Sequence, residues 1–169
     1  MLDERLLVIA GRQVVTAERV EVLALATASE FEDGRPLSET IESVKAAGGI
    51  AVLPWGVGKW FGERGRLVEQ AVREHGVMVG DNAGRPLGWP KPSLFSEFPV
   101  IPGSDPLKAE GEERMVGSYG FVLEADFDPK RPAESIRRSL RALESCPTTF
   151  GGRVGPTRFF FRQLRHSLG

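Results

Sequence analysis

At 169 residues with 41% apolar side chains, the chain has material for one ordinary core and falls short of a complete eight-unit β/α barrel, which takes about 250 residues. Its 22 basic and 23 acidic residues are interspersed and leave a formal charge of −1, so no net field favours nucleic acid or an anionic membrane surface. A single cysteine, Cys146, excludes an internal disulfide framework and a multi-cysteine zinc site, and no apolar run approaches the ~20 residues of a membrane span. The apolar stretch at residues 6–10 is too short for a signal-peptide core. One cytoplasmic domain over residues 1–169 is expected.

In chain order, residues 6–10 and 20–26 are rich in Val, Leu and Ile and read as two strands of one sheet. Ser38 and Glu39 introduce Ile41, Val44 and Ala47 at helical spacing, with Gly48 and Gly49 as the stop before a strand over residues 50–54. The pattern repeats as a helix over 64–75, ended by Gly76 and followed by a strand from Val77. Two successive helix-Gly-strand passages predict αβ units and a mostly parallel sheet. Pro86, Pro90, Pro92 and Pro102 keep the next connection out of helix. A strand over 119–125 and a helix over 133–143, begun by Pro132, follow. The Phe- and Arg-rich segment 158–168 is expected to form a helix covering one end of the sheet.

Three apolar runs end in polar, glycine-containing turns: GGIAVLPWG, VMVGDNAGRP and PVIPGSDPL. In parallel α/β sheets the residues just past the strand ends line the ligand site, which gathers Trp55, Asp81, Asn82, Arg85, Ser104 and Asp105 as candidates. Lys59, Arg64 and Arg66 lie between a strand end and a helix start, where an anion would be favoured; each also reads as a surface cation paired with Glu63, Glu69 or Glu74. Asp81 and Asp105 likewise read as turn-makers. A phosphate loop at Gly58-Lys59 fails, because Leu53 stands at its first glycine and Trp60 at its Ser/Thr. A nucleophile elbow around Ser118 fails at Val116. Neither His75 nor His166 sits in any of the three turns, which makes the shared mouth a poor transition-metal site.

The order VIAGRQVVT, VEVLALA, GGIAVLP, GDNAGR and GSDPL resembles the C-terminal part of the polymerase and histidinol phosphatase (PHP) domain family, metal-dependent phosphoesterases on a distorted β/α barrel. The resemblance implies a partial or distorted PHP-like barrel, with the family's N-terminal His-x-His segment absent. It also implies degenerate ligands. Gln13 stands where members carry a ligand Glu, Glu21 where a His opens the next strand, Trp55 where a His follows AVLP, and the His after Gly103-Ser104-Asp105 is replaced around Leu107.

The favoured expectation is therefore a PHP-like domain that has lost metal catalysis and keeps a barrel-end pocket for a small anionic, phosphorylated ligand. Lys59, Arg64, Arg66 and Arg85 would supply charge, Asn82, Ser104 and Asp105 would orient polar groups, and Trp55 would form a wall. An alternative is an active phosphoesterase with a reduced site of Glu21, Asp81 and Asp105 holding magnesium or manganese. A third is a subunit that completes its barrel by homodimerisation or on a partner, since an open edge exposes unpaired backbone.

Overall fold

The computed structural model describes residues 6–107, 110–157 and 159–160. A tight turn decides the first strand pairing. The Thr16 carbonyl accepts from the Arg19 amide at 2.9 Å, its Oγ1 accepts from the Val20 amide at 3.2 Å, and Arg19 takes φ of 59° to close the loop. β1 (Gly11–Val15) and β2 (Glu21–Leu25) then run antiparallel, with Val15 opposite Glu21 and Gly11 opposite Leu25. Ala26, at φ 55°, ends β2, so the ladder stops at Gly11. The strand expected over 6–10 is displaced to 11–15 for this reason, and Leu6, Leu7 and Val8 lie exposed outside any regular element.

The same turn starts the first helix. α1 (Leu37–Ala46) has Pro36 at its N-cap and no capping side chain of its own; the Glu18 carboxylate instead accepts the Leu37 amide at 3.0 Å. Burial pushes the Glu18 carboxyl up, but bonds from its own amide, the Leu37 amide and the Thr16 hydroxyl outweigh this and hold it below the usual carboxylate range. α1 buries Leu37, Thr40, Ile41 and Val44. β3 (Ile50–Pro54) is apolar on both faces, as a central strand must be. α2 (Gly62–His75) buries Val68, Ala71 and Val72 and ends at Gly76 in the left-handed region that favours glycine. β4 (Met78–Asn82), the single turn α3 (Leu94–Glu97) and β5 (Val100–Gly103) follow. Past a 3₁₀ turn (Glu112–Met115) come β6 (Tyr119–Phe121), α4 (Pro132–Arg141) and β7 (Thr149–Gly151).

The five-stranded sheet has the order β1-β2-β3-β4-β5, with β1-β2 and β2-β3 antiparallel and β3-β4 and β4-β5 parallel; β6 and β7 form a separate antiparallel hairpin. This overturns the expected mostly parallel, barrel-like sheet. The sheet is open and mixed, because the Thr16 turn makes a hairpin where a barrel would need a crossover, and β6 pairs with β7 instead of extending from β5. The strand expected over 119–125 shortens to Tyr119–Phe121, and the helix expected over 133–143 runs Pro132–Arg141. Nearly all of the predicted terminal helix lies outside the described residues, where Phe159 is buried and Phe160 exposed. No helix among the described residues is long and apolar enough to cross a membrane.

Side-chain alternation divides the core into two layers. Val22, Ala24, Ala51, Leu53 and Val79 face α1 and α2. Leu23, Leu25, Ile50, Val52 and Ile101 face α4, which contributes Ile136 and Leu140. Arg137 donates to the Ala26 carbonyl at 2.7 Å and Arg141 to that of Gly48 at 2.9 Å, fastening α4 to backbone beside β2 and β3. At fully buried Leu53, truncation to Ala removes packing from the α1–α2 layer. Leu53→Ala is expected to lower the unfolding free energy by about 2–5 kcal/mol, read from the shift in a urea titration midpoint.

Candidate functional site

The strand directions bring the N-terminal end of β2 and the C-terminal ends of β3, β4 and β5 to one edge of the sheet. On the α4 face, below that edge, lies a cavity of about 360 Å³. Its walls are apolar, with Leu23, Leu25, Val52, Ile101, Phe121 and Ile136 among them. Its polar lining residues are Gln13, Glu21, Asp81, Asn82 and Asp105, with no basic residue among them.

Asp81 ends inside a closed set of bonds. Arg85 Nε donates to its Oδ1 and Arg85 Nη2 to its Oδ2, both at 2.7 Å, while the Asn82 amide donates to Oδ1 at 2.9 Å. Both residues of the pair are buried, and the guanidinium lies 5.2 Å from the centre of the Phe95 ring. Tyr119 Oη approaches Oδ2 at 3.4 Å. Burial, and then the charge of Asp81, push the Tyr119 phenol above its ordinary range.

Asn82 bridges strands. Its Nδ2 donates to the Trp55 carbonyl at 2.7 Å and to Asp105 Oδ2 at 2.9 Å. Reversing the amide would set its oxygen against two acceptors, which fixes the orientation. Both amide protons are then used, and Oδ1 remains as a buried acceptor without a partner. Asp105 stands at φ 44° in the turn after β5. Lys59 crosses from the loop after β3 to form an ion pair with Glu21, over Gly56, where a Cβ would come within 2.7 Å of Lys59 Cδ.

Of the residues singled out in the sequence, Asp81, Asn82, Asp105 and Glu21 come together at this cavity. The others do not. Trp55 contributes its carbonyl here, but its indole packs into the α1–α2 layer. Lys59 and Arg85 are each engaged by a carboxylate. Arg64 and Arg66 lie on α2, across the sheet. Ser104 Oγ accepts the Gly117 amide at 3.2 Å and ties two loops. Tyr119 and the α4 residues escaped the sequence reading; Tyr119 is the single tyrosine beside ten phenylalanines, a weak sign that its hydroxyl has a use. Glu21, Asp81 and Asp105 share the cavity, yet no group of three His, Cys, Asp or Glu among the described residues is placed to hold a metal ion. The donor set does not fit a divalent cation such as magnesium, whose sites gather oxygen ligands around one ion at about 2.0–2.1 Å.

No family model, curated protein or solved structure matches this chain.

Two outcomes follow from the buried pair. Arg85→Ala strands the Asp81 charge and is expected to cost about 3–5 kcal/mol of stability by denaturant unfolding. In a spectrophotometric titration the single tyrosine is expected to ionise above its ordinary value of 10.0, and in Asp81→Asn to move back toward it. Because the folded phenol holds its proton more tightly than the unfolded one, this contribution to stability is present below pH 10.0 and is lost as pH rises through the folded value.

Proposed function

We propose that the chain is a ligand-binding α/β domain whose cavity under the strand ends takes a small molecule with an apolar body and a hydrogen-bond-donating, basic end. The observation that carries this reading is the lining itself: apolar walls and side chains that can accept hydrogen bonds, Gln13, Glu21, Asn82 and Asp105, with no basic residue among them. Asn82 on this lining keeps a buried Oδ1 without a partner, which costs about 1–3 kcal/mol. The volume falls within the range of small-molecule pockets, about 300–1,000 Å³.

The anionic ligand expected from the sequence finds no support at this cavity, since Lys59 and Arg85 already neutralise Glu21 and Asp81. Loss of metal catalysis stays part of the proposal: the carboxylates here serve as acceptors and ion-pair partners, and Asp81 has its oxygens occupied by Arg85 and the Asn82 amide.

Calorimetry with phenethylamine and with 3-phenylpropionate tests this. The amine is expected to bind at least about tenfold more tightly than the carboxylate, and Ile136→Phe, which fills the cavity, to abolish the heat. Equal binding of the two, or heat that survives Ile136→Phe, would overturn the proposal.

A further inference from the structure

A second cavity lies on the other side of the sheet, beside the first turns of α2. It encloses about 530 Å³ and is walled by Trp55, Trp60, Phe61, Trp89 and Leu94. The chain has three tryptophans, and all three line this one space. The rings are set at angles to one another. Trp55 and Trp89 meet edge to face with centroids 6.3 Å apart, and Phe61 and Trp89 are tilted at 6.4 Å. Trp60 is held from behind, its Nε1 donating to the Pro54 carbonyl at 3.0 Å and its ring meeting Phe95 edge to face at 5.6 Å. Phe61 is 53% exposed, so part of this aromatic surface faces water.

The charged residues at this cavity are Arg66, Glu69 and Lys91. Glu69 accepts from Arg73 at 3.0 Å, a guanidinium it shares with Glu97 at 2.7 Å. Arg66 has Glu63 at 3.9 Å, with both side chains largely in solvent, a contact worth little. Lys91 makes no ion pair among the described residues. Among the lining residues two cations, Arg66 and Lys91, thus stand against one carboxylate, Glu69. Aromatic walls supply faces for stacking at low entropic cost, and an Arg and a Lys supply attraction for an anion.

From this juxtaposition we propose that the tryptophan-lined cavity is a second binding site, for a small aromatic anion whose ring lies among Trp55, Phe61 and Trp89 and whose phosphate or carboxylate meets Arg66 and Lys91. It is independent of the site proposed under the strand ends.

Because every tryptophan lies at the cavity, emission excited at 295 nm reports on it alone. Titration with phenyl phosphate or benzoate is expected to quench and shift that emission, and the stronger of the two identifies the anionic group preferred. Phenol and inorganic phosphate, each carrying half of the recognition, are expected to need at least tenfold higher concentration. The double variant Arg66→Ala, Lys91→Ala changes two side chains outside the buried core and is expected to weaken binding tenfold or more. Ile136→Phe, which fills the other cavity, is expected to leave the response unchanged. No response to either aromatic anion, a response to phenol at equal concentration, or equal affinity in the double variant would overturn the proposal. Loss of the response in Ile136→Phe would place the ligand under the strand ends and overturn it as well.

Discussion

Much of the site depends on one buried ion pair, Asp81 with Arg85. Taking both charges out of water is costly, and two 2.7 Å hydrogen bonds, the Asn82 amide and the face of Phe95 offset that cost. The pair's value is geometric: it closes the chain on itself within four residues of the end of β4. Asn82, held inside that closure, reaches both the Trp55 carbonyl and Asp105, and so joins the ends of three strands. The pair also withdraws a cation from the neighbouring cavity. What remains on its lining is Gln13, Glu21, Asn82 and Asp105 among apolar walls.

The cavity exists because α4 covers its face of the sheet incompletely. Ile136 and Leu140 seal the middle of the face, and Arg137 and Arg141 attach the helix to carbonyls beside β2 and β3, away from the strand ends where Asn82 and Asp105 lie. Phe121, on the separate hairpin, closes part of the remaining gap. A hollow is left beneath the edge where polar turns converge, which is where open α/β sheets place their ligands.

The local periodicities of the sequence translated well into α1 and α2, each with an apolar stripe of helical spacing and a glycine stop, and the apolar runs after those glycines into β3 and β4. Asp81 and Asn82, read as turn residues, are the last two residues of β4 itself; with Asp105 they were legible as neighbours because parallel strands deliver their ends to one edge. The pairing of β1 with β2 was not. It depends on the backbone of Thr16 and Arg19, and the greater hydrophobicity of residues 6–10 pointed to the wrong segment. The cationic cluster was misplaced as well. Nearness in sequence put Lys59, Arg64 and Arg66 together and a strand-end turn added Arg85, but Lys59 pairs with Glu21 while Arg64 and Arg66 lie on α2, and the carboxylates that claim Lys59 and Arg85 could be identified only from the fold. The barrel suggested by the order of motifs fails on the same hairpin.

Trp55 belongs to both sides of the sheet through different parts of itself. Its carbonyl anchors Asn82, and its indole forms a wall of the aromatic cavity. A main-chain carbonyl persists whatever side chain the residue carries. A change of side chain at this position therefore alters the aromatic cavity and leaves the anchor of Asn82 in place, so the two faces of the sheet are uncoupled at this residue.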